Sequence, residues 1–158
     1  MIGLCFALLT SGPAHDWTGD PAFRLAKSLI GQWEGVVGKK IKVKFTFTLE
    51  QEGKLIVANG LINAGSKNPI PARSSLGWDP VAKQVYYLDQ HGSDTVYFGH
   101  ITREGDELVF DFNGLSGDSG HYQSRCTITP KLYSSTMSSE KDGKWTDTGF
   151  HLKLHRLK

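Results

Sequence analysis

The sequence predicts an all-β fold, an up-and-down meander of about ten antiparallel strands that closes into a barrel. Two observations predict it. Turn-forming residues recur at strand-length intervals along the 158-residue chain, and the segments between them alternate apolar and polar side chains. The turns centre on residues 38–40, 51–54, 65–69, 79–83, 91–94, 104–106, 116–120, 130–131 and 141–144. Closure is expected because an open meander of this length would leave two edge strands exposed.

A short helix is predicted immediately before the first strand. Asp20 is a suitable N-cap, and Pro21 suits the first helical position. Apolar residues at 23, 26, 29 and 30 form one stripe, and Gly31 suits the helix end. This pattern predicts a helix that plugs one end of the barrel, with Trp33 buried beneath it. The alternative is a helix on an open sheet, with Trp33 as an ordinary core residue.

Alternation indicates the inward face of some strands but not of others. The second strand alternates strictly, with Phe45 and Phe47 on its apolar face. Its polar face continues a basic row of Lys40, Lys42 and Lys44, which is expected to be a solvated surface. Most later strands carry aromatic or apolar residues on both faces, so periodicity alone does not orient them.

Composition excludes several classes of protein. Eighteen Lys and Arg against sixteen Asp and Glu give a formal net charge of +2, too balanced to indicate nucleic-acid binding. Apolar residues make up 39% and charged residues 22%, which is typical of a soluble folded domain. No composition shift or repeat divides the chain, so residues 15–158 are expected to form one barrel domain.

The N-terminal segment differs from the rest. Residues 1–14 form a short apolar run followed by small residues, a pattern that resembles a secretory signal peptide and predicts export to a periplasm or the exterior. The segment lacks the positive residues that usually precede such a run, so an apolar tail is the alternative. It is too short to span a membrane. Because Cys5 lies within it, Cys126 would be the one cysteine of a mature chain, and no disulfide is expected.

Two motifs resemble the lipocalin-like (calycin) β-barrels. One is Gly31-Gln32-Trp33-Glu34-Gly35, and the other is Gly77-Trp78-Asp79-Pro80, which precedes a further strand candidate. The match is closest to a bacterial branch of mostly uncharacterised proteins, distantly similar to nitrobindin-like proteins. The resemblance implies that Arg156 packs over Trp33, a cation–π contact worth about 0.5–2 kcal/mol. It also implies a cup that opens opposite the helix and often holds an apolar molecule.

The predicted function is non-catalytic binding or carriage of a small, largely apolar ligand by a monomer or weak homodimer. Tyr87, His100 and His121 are expected to supply the few polar contacts that such sites use. The full set expected to line the cavity or its mouth is Phe45, Phe47, Trp78, Tyr87, Phe98, His100, Phe110 and His121. No nucleophile elbow, phosphate-binding loop or zinc-protease motif is present. Asp89-Gln90-His91 lies near a strand end, where pocket mouths and ordinary turns both occur, and is interpreted as turn residues rather than as part of a pocket mouth.

Two other classes of function remain open. Nitrobindin-like proteins ligate haem through a histidine near the C-terminal strand, which the resemblance places at His151, and a small barrel enzyme is a related alternative. However, Phe150 and Leu152 form the apolar face there, so His151 is expected to face outward unless a bulge reverses the strand. A filled barrel that binds anionic surfaces through Lys40, Lys42 and Lys44 is the third hypothesis. No metal or other cofactor is expected, because the histidine spacings are not typical of ligand sets.

Overall fold

A computed structural model describes residues 16–38 and 40–158, which form a closed barrel of ten antiparallel strands. Each strand pairs with its neighbours in the chain, and the first pairs with the last, so the predicted fold class is confirmed. The strands are β1 (Gly31–Val37), β2 (Ile41–Glu50), β3 (Leu55–Ile62), β4 (Ile70–Asp79), β5 (Gln84–His91), β6 (Thr95–Glu104), β7 (Glu107–Ser116), β8 (His121–Ile128), β9 (Leu132–Lys141) and β10 (Lys144–Arg156). The predicted signal segment, residues 1–14, lies outside the described residues.

The barrel closes where β1 meets β10. Trp33 is the register partner of Arg156, and Gly35 is the partner of Leu154. A Cβ at Gly35 would collide with the backbone carbonyl of Lys153, so glycine is required for the two strands to approach this closely. Gly31 begins β1 with a φ of +128°, and a Cβ there would lie 2.7 Å from the Arg156 guanidinium. Both glycines of the opening motif therefore have a steric role in closure.

The N-terminal helix is present, although it is shorter than the apolar stripe suggested. α1 (Pro21–Ala26) lies between two 3-10 turns, Trp17–Gly19 and Lys27–Leu29. The Asp20 carboxylate caps it, accepting hydrogen bonds from the backbone N–H groups of Ala22 at 2.8 Å and Phe23 at 3.1 Å. The last turn tightens to 3-10 geometry, which brings the chain directly into β1.

The helix covers one end of the barrel. Phe23 and Ala26 are fully buried and pack with the ends of β4–β8, including Ile101 and Leu108. Trp17 stacks on Trp78, with ring centroids 5.7 Å apart and planes inclined by 10°. Among the described residues no helix is both long and apolar enough to cross a membrane.

Trp33 and Arg156 connect the helix-covered end of the barrel, here called the sealed end, to the strands. The Trp33 ring is completely buried, and its Nε1 donates a hydrogen bond to the Leu29 carbonyl at 2.6 Å. The Arg156 Cζ lies 4.2 Å from the centroid of that ring. The same guanidinium donates hydrogen bonds to the carbonyls of Ile30 and Ser28, while its Nε donates to the Pro130 carbonyl at 2.8 Å. One side chain thus joins the pre-strand turn, β1 and the β8–β9 connection.

Candidate functional site

A cavity of about 440 Å³ occupies the barrel at the end away from α1. Its rim includes Ile41 at the start of β2, Ile62 at the end of β3 and His91 at the end of β5. Leu29, from the turn after α1, also lines the cavity, and its backbone carbonyl accepts the hydrogen bond from Trp33 Nε1. The volume falls within the range of pockets that hold small molecules, so the barrel is not completely filled by its side chains.

One wall of the cavity is apolar and comes from β1, β2, β3 and β10. The strict alternation of β2 directs every second side chain inward, and β10 does the same beyond the bulge between Asp147 and Phe150. The apolar wall consists of Val37, Ile41, Val43, Phe45, Phe47, Ile62, Phe150, Leu152 and Leu154. It offers contact area but no polar side-chain group.

The opposite wall is aromatic and polar. Tyr87 contacts Phe110 and Phe112 edge to face, with centroids 5.0 and 5.6 Å apart. Tyr97 meets Phe112 at 5.6 Å and Tyr122 at 6.1 Å, so the rings form a continuous row across β5–β8. Such edge-to-face pairs are mutually stabilising and fix the shape of the wall.

A buried carboxylate lies in this wall. The Asp89 side chain is only 8% exposed. Its Oδ1 accepts a hydrogen bond from the Ser74 hydroxyl at 2.6 Å, and its Oδ2 lies 2.8 Å from His91 Nε2. Burial alone would lower the pKa of His91, but the hydrogen bond and charge of Asp89 outweigh it, so the pKa of His91 lies above its usual value. Burial, together with Asp89, raises the pKa of Tyr87 well above its usual range.

A second carboxylate comes from the β7–β8 loop. The Asp118 Oδ2 accepts hydrogen bonds from the hydroxyls of Tyr122 at 2.7 Å and Tyr97 at 3.3 Å, and its Oδ1 accepts from the Gly120 N–H at 2.8 Å. These donors, Tyr122 foremost, lower the pKa of Asp118 and keep it ionised. In turn the hydrogen bond to Asp118 raises the pKa of Tyr122 to about 12.

A hydroxyl cluster from β8 and β9 lies in the cavity wall, beside the buried Cys126. The Ser124 and Ser135 hydroxyls are 2.6 Å apart, and the Cys126 sulfur lies 3.1 Å from the Tyr133 hydroxyl. Cys126 is free, and its burial raises the pKa of the thiol, so the sulfur is neither disulfide-bonded nor activated.

Four of the residues predicted to contact a ligand line the cavity: Phe45, Phe47, Tyr87 and Phe110. Trp78 also faces inward, because its register partner is the buried Val85, but it lies at the sealed end against Trp17.

Phe98, His100 and His121, which we also predicted at the cavity, lie instead on the outer surface. On β6 the inward residues are Tyr97, Gly99 and Ile101, whose partners on β7 include the buried Phe110 and Phe112. Outside, His100 Nε2 lies 2.9 Å from Asp79 Oδ2, and the Phe98 ring stacks near Tyr86 at 6.4 Å. The contact of His100 with Asp79 and the ring contact of Phe98 with Tyr86 are therefore both made outside the cavity.

His121 faces outward for a reason that the sequence contains. Tyr122, Cys126 and Ile128 fall on alternate positions of β8 and mark its inward face, which leaves His121 on the other. The His121 Nε2 lies 2.8 Å from Asp111 and its Nδ1 lies 3.2 Å from Glu140. It therefore belongs to an external ion-pair cluster.

His151 also lies on the outer face, as the alternation of β10 indicates. Its side chain is 52% exposed, with Asp147 as an ion-pair partner at 3.8 Å, while its neighbour Phe150 lines the cavity. Within residues 16–38 and 40–158, no group of three or more His, Cys, Asp or Glu side chains is arranged to hold a metal ion. Lys42 and Lys44 are exposed on the outside of β2, where Lys44 lies 3.5 Å from Glu34.

The fold and cavity define the class of this protein as a closed ten-stranded antiparallel barrel with an internal cavity. This architecture, with its short helix near the N-terminus, is compatible with the lipocalin-like (calycin) fold. Comparison with known proteins adds no family, since no protein-family model and no curated protein matches the chain.

Proposed function

We propose that this protein binds a small, largely apolar molecule inside the barrel and carries it without transforming it. The cavity of about 440 Å³ is the observation that supports this role. At about 30 Å³ for each non-hydrogen group, the share of one water molecule in the liquid, it suits a ligand of roughly fifteen such atoms. Phe45, Phe47 and Phe150 offer it apolar contact over one whole wall.

The polar groups of the cavity favour binding over catalysis. Among the described residues, every buried side-chain nitrogen or oxygen has a hydrogen-bond partner. Asp89 and Asp118 are each held by two or more donors, and the thiol of Cys126 is kept protonated by burial. Such groups orient a ligand rather than attack it. The haem alternative is less favoured, because His151 faces away from the cavity.

The test uses one fluorophore and two matched variants. N-phenylnaphthylamine is neutral and apolar, and its emission rises when it leaves water. Ile62 lines the cavity, whereas Leu61 is its neighbour on β3, faces outward and is 40% exposed. We expect the wild-type protein and Leu61→Trp to bind the dye equally, and Ile62→Trp to bind it at least about tenfold more weakly because the new ring occupies the cavity.

Either of two results would contradict carriage. Absence of dye binding to the wild-type protein is one, and undiminished binding to a folded Ile62→Trp is the other. Native mass spectrometry of the purified chain is an independent check, since a co-purified small molecule should appear with the wild-type protein and be lost from Ile62→Trp.

Export remains part of the proposal. If residues 1–14 are a signal, expression of the full chain in a bacterium should yield a processed protein outside the cytoplasm, with a new N-terminus near Ala14. Retention of an intact N-terminus in the cytoplasm would contradict it.

A further inference from the structure

The charges inside the cavity indicate the polar end of the ligand. Two of the lining residues are carboxylates, Asp89 and Asp118, and one is a histidine, His91. No lysine or arginine is among the described residues that line it. The cavity therefore carries net negative charge when His91 is neutral, and its field remains negative when His91 is protonated because two carboxylates oppose one cation.

The two carboxylates are brought together by Tyr97. Asp89 and Tyr97 are register partners on β5 and β6, so both side chains face inward side by side. The Tyr97 hydroxyl reaches Asp118 at 3.3 Å, and its ring lies 5.8 Å from that of His91. Asp89 and Asp118 thus stand on either side of one aromatic residue, at the same part of the polar wall.

Asp89 is the more unusual of the two. A carboxylate that is 8% exposed has lost most of its hydration, and its partners Ser74, His91 and Tyr87 supply no permanent positive charge. A cation supplied from the cavity would compensate that loss of hydration, whereas an anion would add to the unfavourable charge.

The aromatic rings beside Asp118 also favour a positively charged group on the ligand. Tyr97, Phe112 and Tyr122 lie with their centroids 5.6–6.1 Å apart, and all three line the cavity beside Asp118. The faces of aromatic rings carry negative electrostatic potential and attract ammonium groups within about 6 Å. Rings and carboxylates together form a recognised means of binding an amine.

We propose, building on the carrier function, that the ligand is an apolar molecule with a protonated amine at one end. Asp89 and Asp118 hold the ammonium group against Tyr97 and Tyr122, and the apolar body lies along the wall of β2 and β10. Fatty acids and other anionic amphiphiles are excluded by like charge.

The experiment compares three probes that share one apolar body: phenylbutylamine, phenylbutanol and phenylbutyrate. Each is titrated against the protein with bound N-phenylnaphthylamine. We expect the amine to displace the dye at a concentration at least about tenfold lower than the alcohol, and phenylbutyrate to be the weakest. Equal potency of the three probes, or a preference for phenylbutyrate, would overturn the charge inference and leave the carrier function standing.

Matched variants assign the selectivity to particular groups. Asp118→Asn and Asp89→Asn should each reduce the advantage of the amine over the alcohol to about threefold or less, with little change for the alcohol itself. Asp111→Asn removes the same charge from the outer face of β7 and should retain the full advantage. Asp118 lies in a loop, so its variant tests the inference even if Asp89→Asn fails to fold. An advantage unchanged in Asp118→Asn and in any folded Asp89→Asn would overturn it.

The two proposals fail in different ways. If the dye binds in the cavity but none of the three probes displaces it, the amine inference is overturned while the carrier function stands. If the dye itself does not bind, the carrier function fails, and the amine inference fails with it.

Discussion

The two ends of this barrel are built from the same strands, yet one end is a packed core and the other is a cavity. At the sealed end Phe23 and Ala26 of α1 are fully buried against the inward side chains of β4–β8. At the open end Ile41, the first residue of β2, borders the cavity and is 43% exposed. The comparison indicates that the element covering each end of this barrel, more than the apolar content of its strands, determines whether the interior there is packed core or cavity.

The polar groups of the two ends differ in the same way. At the sealed end the guanidinium of Arg156 donates to backbone carbonyls and closes the structure. At the open end Asp89 and Asp118 lie inside the barrel, and they and their partners line the cavity. We therefore expect substitutions at the sealed end to change mainly stability, and those at the open end to change mainly binding.

The largest expected effect compares the same deletion at both ends. Phe23→Ala should lower the free energy of unfolding by about 3–5 kcal/mol, because it leaves a cavity in a close-packed core. Phe150→Ala, on the cavity wall, should cost about 1–2 kcal/mol, since its ring already lacks packing partners on one side. Urea denaturation followed by tryptophan fluorescence measures both. Equal losses would remove the distinction between the two ends.

The next prediction tests whether the planar shape of the Arg156 guanidinium, and not only its charge, stabilises the sealed end. Arg156→Lys keeps the charge but cannot present the planar fork that reaches three carbonyls, so we expect a loss of about 1–3 kcal/mol in the free energy of unfolding. Arg125→Lys is the control, because Arg125 makes exposed ion pairs with Glu104 at 2.8 Å and Glu107 at 3.3 Å. That variant should change stability by about 0.5 kcal/mol or less. If the two variants behave alike, Arg156 does not fasten the sealed end.

The sequence allowed the sealed end to be predicted more completely than the open end. Local signals sufficed for the former, because Asp20 and Pro21 mark the helix start and Gly31 and Gly35 mark a close approach of chains. Arg156 is found over Trp33, where the resemblance to lipocalin-like barrels placed it. The turns between strands were likewise identifiable, since they depend on residues adjacent in the chain.

The polar wall could not be predicted by the same reasoning. Alternation identifies an inward face by its apolar residues, but the inward face of β5 changes from Val85 and Tyr87 to Asp89 and His91 as it nears the mouth. On β6 both faces carry an aromatic residue, so Phe98 was placed inside and Tyr97 was not. The correct face depends on pairing with β7, which is a property of the assembled sheet. Polar residues on the inward face of a strand interrupt the apolar alternation, so a cavity wall that carries polar groups is not recognisable from that alternation.

A smaller effect concerns the pH dependence of the open end. Since Asp89 raises the pKa of His91 above the ordinary 6.5, the protonated pair stabilises the fold fully below about pH 6.5, and this stabilisation is lost as pH rises through the folded pKa. Protonation also gives Asp89 a competing cation. We expect phenylbutylamine affinity to fall by about threefold or less as the pH drops through that range, because His91 is partly exposed.

His91→Gln provides the control for this pH effect. Glutamine can still donate to Asp89 but does not titrate, so the pH dependence of amine affinity should flatten. Phenylbutanol, which is uncharged, should show no such dependence with either protein. The same fall for the alcohol, or an unchanged slope in His91→Gln, would show that another group is responsible.

The smallest expected effect comes from a similar histidine–aspartate pair, His121 and Asp111, on the outer surface of the barrel. His121 lies 2.8 Å from Asp111, the same distance as His91 from Asp89, but the Asp111 side chain is 51% exposed rather than 8%. The hydrogen bond to Asp111, supported by Glu140 against partial burial, raises the pKa of His121 above 6.5. Its stabilising contribution is therefore complete below about pH 6.5 and is lost as pH rises through the folded pKa.

NMR titration of the His121 ring checks this comparison. Asp111→Asn should lower the His121 pKa more than Glu140→Gln, because the bond to Asp111 is shorter than the 3.2 Å bond to Glu140. Neither variant should measurably change the free energy of unfolding, since water screens and solvates an exposed pair. Amine affinity should remain that of the wild-type protein. A change in amine affinity with Asp111→Asn would mean that charge outside the barrel reaches the site, and that burial of Asp89 is not what distinguishes the two pairs.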